Sequence, residues 1–162
     1  MTHLLLYVAI GLTAQAFALT SGTAAQHQHP AAQDRANQGM GFDQDKTTHH
    51  FLLQKTGGTI EVTAKTADDK ASTDQTRMHL RHIASAFAAG DFSLPMFIHD
   101  TVPPGVEVMK ARREQMTFRY EDADKGGKVV IQTSDMAARD ALYDFLRFQI
   151  REHKTGDPLD PR

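Results

Sequence analysis

Histidine is the side chain whose number and spacing invite chemistry in this sequence. Nine are present and cysteine is absent, so thiol chemistry is excluded and any metal centre must be built from imidazole, thioether and carboxylate. His79 and His82, in Met78-His79-Leu80-Arg81-His82, are three positions apart. On a helix they share a face, where two imidazoles can chelate one ion. His49 and His50 open an apolar run, and strand alternation sends their rings to opposite faces. In the segment Pro95 to Asp100, Met96 adds a soft thioether and His99 another imidazole, while Asp100 is placed to orient a ligating ring. Each has a plainer reading: hydrogen-bonded rim histidines at 79 and 82, one half-buried and one solvated ring at 49 and 50, core filler at 96.

Imidazole with thioether suits copper, which accepts the first in both oxidation states and the second as Cu(I). Zinc is an alternative, since three histidines and a carboxylate or water satisfy it. Haem held by His and Met is another, although no Cys-x-x-Cys-His is present and the core is small for a macrocycle. Gln26-His27-Gln28-His29 would recruit a metal loosely at most. Enzyme signatures are missing: the sequence has no His-Glu-x-x-His, Gly-x-Ser-x-Gly or Gly-x-x-x-x-Gly-Lys, and no pair of acidic residues stands out as an acid/base couple. The reading therefore leans away from catalysis. A formal net charge of −2 with mixed charges gives no footprint for nucleic acid.

The elements that must position these residues come in two copies. His49 to Val62 forms two apolar runs around Gly57-Gly58, and Met116 to Ile131 repeats the plan around Gly126-Gly127. Each pair leads into an amphipathic helical stretch ending in Gly-Asp. Aligning Gly90-Asp91 with Gly156-Asp157 sets Leu80 over Leu146, His79 over Phe145 and His82 over Phe148. One copy thus has histidines where the other has aromatics. Strands are expected at 48–54, 59–65, 115–122 and 127–133, with Gly-Gly supplying the positive φ values of tight hairpins. Leu80, Ile83, Ala84 and Phe87 form the buried stripe of the first helix, which Ser72, Thr73 or Asp74 would cap. Ala138, Ala141, Leu142, Phe145 and Phe148 form the stripe of the second, capped by Ser134 or Asp135. Pro95 argues for an extended, edge-like 92–99, and 106–114 reads equally as short helix or loop. The expected fold is α+β: duplicated β-β-α units forming a four-stranded antiparallel sheet with two helices packed on one face.

Residues 1–25 read as a signal peptide. Leu4 to Leu19 is almost continuously apolar, short for a membrane span, and followed by small residues. Residues 26–46, without apolar periodicity, read as a flexible arm, 47–157 as a single duplicated domain and 158–162 as a disordered tail. The expected location is periplasmic or secreted, with no membrane association after signal cleavage.

The stretch from Met40-Gly41-Phe42 to Thr155-Gly156-Asp157 resembles a family of small exported bacterial proteins without an established activity. The likeness rests on Lys46-Thr47-Thr48-His49-His50-Phe51, His79-Leu80-Arg81-His82-Ile83-Ala84, Pro95-Met96, His99-Asp100 and Phe145-Leu146-Arg147-Phe148-Gln149-Ile150. Some relatives carry an aspartate carbamoyltransferase label, which this sequence contradicts. It has about half the length that fold needs and lacks the Ser-Thr-Arg-Thr carbamoyl-phosphate loop. The resemblance implies export and a shared domain. The expectation is a non-catalytic periplasmic metal binder, copper first, using His79 and His82 with His49 or His50, and Met96 and His99 as further ligands. The alternative is a periplasmic interaction module that binds a protein through Phe92, Phe97 and Ile98, with no metal.

Overall fold

The computed structural model describes residues 30–162, so the expected signal peptide and the first residues of the arm lie outside the described residues. Strands β1 (Thr47–Gln54), β2 (Gly57–Ala64), β3 (Met116–Ala123) and β4 (Gly126–Thr133) form one antiparallel sheet in the order β1-β2-β4-β3. The helices are α1 (Pro30–Met40), α2 (Lys70–Ala88), α3 (Ser93–His99), α4 (Val106–Ala111) and α5 (Met136–His153). The expected α+β fold is the one found.

Strand register makes the duplication geometric. The first hairpin pairs Thr47 with Ala64 and Gln54 with Gly57. The second pairs Met116 with Thr133 and Ala123 with Gly126, each 69 positions later (47 to 116, 64 to 133). The two hairpins meet at β2 and β4, where Ile60 faces Val129, its own counterpart under that shift. A pseudo-twofold axis therefore passes between Ile60 and Val129. The helices follow with a shift of 66: Asp69 caps α2 by accepting from the Ser72 amide at 3.0 Å, and Asp135 caps α5 by accepting from the Ala138 amide at 2.8 Å. Gly90 and Gly156, at φ 79° and 75°, turn the chain out of the two helices. The first helix thus starts earlier than the Ser72–Asp74 caps implied.

One sheet face carries Phe51, Leu53, Ile60, Val62, Val129, Ile131 and Met116, all buried under α2 and α5. The opposite face is polar, with Glu121 meeting Arg119 at 2.7 Å and Lys128 at 3.1 Å. The helices exchange partners: α2 lies mainly over β3 and β4, and α5 mainly over β1 and β2. Each unit's apolar hairpin is therefore covered by the other unit's helix.

Several local expectations change, and the open reading of 106–114 is resolved. Within residues 92–99, Ser93–His99 is helical, because Pro95 falls in the first turn of α3, where its missing N–H breaks no intrahelical bond. Much of the arm is ordered: α1 and the turn after it bury Ala36, Met40 and Phe42 in the main core, so the domain reaches upstream of Thr47. The last residues are tied down, since the Arg162 amide donates to Leu53 O at 3.1 Å and Lys55 N donates to Arg162 O at 3.2 Å. They pair with the free edge of β1, which would otherwise offer unsatisfied backbone groups. Residues 106–114 divide into α4 and a short 3-10 turn, and Phe148 is only half-buried.

Candidate functional site: a buried imidazole cluster

Four histidines from four elements gather at one end of the helix layer. β1 places His49 on the core face, opposite Val62 and two positions before Phe51. α2 contributes His79, at the edge of its buried stripe as its spacing from Leu80 and Ile83 implied. His99 is the last residue of α3 and His153 the last of α5, followed by Asp100 and Lys154 in the left-handed conformation. The rings of His49 and His153 stack with centroids 5.2 Å apart, and His99 meets His153 edge-on at 5.2 Å. Phe42 joins His79 to this group, 5.3 Å from His79 and 5.6 Å from His49.

Burial keeps these rings neutral. It lowers the His49 pKa to about 4, with the nearby His50 adding to the effect. It also lowers His79 to about 4, assisted by His49 and His82 and opposed by a hydrogen bond to the Met40 backbone. His153 falls to about 3 through burial, then through His49, His99 and His79. His99 is lowered by burial, while Gln149 and Glu152 pull the other way. At neutral pH each imidazole therefore keeps a lone pair. His99 Nε2 donates to Gln149 Oε1 at 3.0 Å, which leaves its Nδ1 lone pair on the side of Glu152, 3.9 Å away. His49 Nε2 and Gln149 Nε2 are buried without a hydrogen-bond partner. Each such atom costs about 1–3 kcal/mol.

His49, His99 and His153 stand between two spaces. Outside them is an open cleft of about 460 Å³ with Arg35, Lys65, Glu152 and Lys154 in its walls. Inside is an apolar cavity of about 50 Å³, lined also by His79, Met40, Phe51 and Gln149. Among the described residues, no group of three or more His, Asp or Glu side chains is arranged to hold a metal ion as it stands.

Of the six metal-ligand candidates, the fold brings together His49, His79 and His99 and leaves out the other three. His82 is exposed, with Asp91 as a charged neighbour. His50 points to the opposite sheet face, where its Nδ1 donates to Asp157 Oδ1 at 2.9 Å. Asp157 also accepts from the Phe51 amide and the Thr155 hydroxyl; burial alone would raise its pKa, but these bonds bring it below the ordinary value. Met96 is half-buried and lines neither space, while Met40 is among the residues that line the smaller one. Asp100 is exposed, and His99 is oriented by its hydrogen bond to Gln149 instead. On the proposed protein-binding surface, Phe92 is 1% exposed and stacks on Phe87, and Ile98 packs against the core. Only Phe97, at 48%, faces solvent.

His153 is the residue that the motif reading missed. Under the helix shift of 66 it lies over Phe87, just as His79 lies over Phe145. Phe87 and Phe145 are in contact, with ring centroids 5.8 Å apart. The pseudo-twofold axis carries that phenylalanine pair onto the His153–His79 pair. The phenylalanine pair and the two histidines line the same small cavity, so equivalent positions carry aromatic rings in one case and imidazoles in the other. No protein-family model, curated protein or solved structure matches this chain.

Proposed function

We propose that the protein is a non-catalytic metal binder whose site is the imidazole cluster: His49, His99 and His153, with His79 as the fourth ring. One observation carries this reading. A pseudo-symmetric core with phenylalanines at 87 and 145 carries histidines at the equivalent positions 153 and 79, and it gathers four half-buried imidazoles held neutral by lowered pKa values, one with an unpartnered Nε2. Buried polar atoms without partners are rare in native folds and call for a ligand or a functional reason. Ring nitrogens must turn toward a common point to take the ion, through side-chain torsions rather than strand or helix movement. The ion enters from the open cleft, whose wall the rings already form.

Neutral imidazoles beside a methionine, with no thiolate, favour copper; zinc is the second choice. A role in periplasmic copper handling joins this site to the apolar N-terminal stretch. No helix among the described residues is long and apolar enough to cross a membrane. The interaction-module alternative keeps a single exposed aromatic, Phe97, and is the weaker reading.

The test is copper retained after desalting, measured by elemental analysis. The protein is expected to keep about one copper per chain, since a coordinated ion survives exchange that removes loosely held metal. The double variant His79→Phe, His153→Phe, which copies the phenylalanine pair, folds and loses the metal, while His82→Ala keeps it. A protein that retains no metal, or a double variant that retains as much as the original, overturns the proposal.

A further inference from the structure

We propose that the cleft outside the imidazole wall binds a small organic carboxylate, recognised by Arg35. This goes beyond the metal reading and does not depend on it. Arg35 lies on α1 and lines the cleft, and its Nε is buried without a partner. Several arginines of the fold are engaged, as where Arg77 donates to Gly126 O at 3.0 Å, Arg112 meets Asp135 at 2.8 Å and Arg147 donates to Leu159 O at 3.0 Å, whereas Arg35 combines a buried Nε with a place in the cleft wall. A guanidinium stays charged at any pH the fold experiences, so a buried N–H of this group that the fold gives no acceptor favours an anionic partner. The Nε–H edge is one of the two-pronged faces with which arginine grips a carboxylate.

The rest of the cleft defines the ligand. Lys65 and Lys154 stand with Arg35 against Asp45 and Glu152, one cation more than anion, which suits a ligand with a small negative charge. Lys65 gives one of its three N–H groups to the Asp45 carbonyl at 2.7 Å, and Arg35 is the planar, two-pronged group among the three cations. A volume of about 460 Å³ is far larger than an inorganic ion needs and falls in the range of small-molecule sites. Ala36, Ile98 and the faces of the imidazoles give that space an apolar side for an organic body.

The experiment is calorimetric titration of the protein, stripped of metal with a chelator, against benzoate and citrate. Benzamide serves as the uncharged isostere of benzoate and inorganic phosphate as the competing oxyanion. Saturable binding of at least one carboxylate is expected, with none for benzamide and weaker binding for phosphate. Arg35→Gln is expected to weaken the carboxylate by about tenfold or more, and Arg35→Lys, which keeps the charge and loses the fork, by a smaller factor. Thermal unfolding checks that both variants are folded, and Arg35→Gln still retains copper if that site exists. No saturable heat with either carboxylate, unchanged affinity in both Arg35 variants, or phosphate binding as tightly as the carboxylates overturns the proposal. Failure of copper retention leaves this result untouched, because the titration is made without metal.

Discussion

His153 occupies the place that Phe87 holds in the first unit, and the exchange alters how stability depends on pH. Its pKa falls from 6.5 to about 3 through burial and the neighbouring His49, His99 and His79, while those of His49 and His79 fall to about 4. In the unfolded chain these rings take up protons near their ordinary pKa; in the fold they do not. Above about pH 6.5 both states are neutral and stability is at its full value. Between about 6.5 and 3 the unfolded state binds more protons, so stability decreases as pH falls. Shifts of this size correspond to about 3–5 kcal/mol for one ring, and the coupled rings titrate as a group. The metal-free protein is therefore expected to unfold in acid with a midpoint near pH 5, followed by circular dichroism, and His153→Phe is expected to move the midpoint lower. A midpoint that stays put in His153→Phe removes the assignment of acid lability to this cluster.

At the scale of elements, the two long helices begin by the same device with different support. The Asp135 side chain caps α5 through the Ala138 amide and also pairs with Arg112 at 2.8 Å, linking the helix start to the end of α4. Replacing it with alanine is expected to lower stability by about 1 kcal/mol, the usual value of an N-cap. Asp135→Asn keeps the cap oxygen and loses only the ion pair, which is half-exposed and worth little. Urea denaturation should therefore rank the original and Asp135→Asn close together, with Asp135→Ala clearly below them. Equal losses in the two variants would mean that the ion pair, not the cap, holds this junction.

Across the whole molecule, the exchange of helices between units decides cooperativity. α2 covers the β3–β4 hairpin and α5 covers β1–β2, so neither half contains the cover of its own apolar sheet face. Residues 116–157 expressed alone are expected to give the far-ultraviolet signal of an unfolded chain. The full protein is expected to melt in one transition seen alike by circular dichroism and tyrosine fluorescence. A half that melts cooperatively by itself would refute the exchange as the source of stability. The same architecture sets the imidazole cluster in a region that both units, α1 and α3 must build together.

The fold was legible from local pattern because each of its determinants is local. Alternating apolar runs around Gly57-Gly58 and Gly126-Gly127 specify hairpins, and the stripe Leu80, Ile83, Ala84 and Phe87 specifies a helix face. The duplication, visible in spacing alone, predicted the sheet. Half of the imidazole cluster was readable by the same means, since strand parity puts His49 inward and helical period puts His79 at the core edge. The pairing of His79 with His82 failed because a spacing of three on a helix says which side chains are neighbours, not which of them the next layer covers. α1 and Phe42 cover His79 and leave His82 in water. Sequence by itself determined the elements, their order and their apolar faces. Only tertiary structure decided that His99 and His153, fifty-four positions apart (99 to 153), end two helices at the same place. Contact across the core depends on how helices cross a sheet, and no periodicity along the chain encodes that crossing.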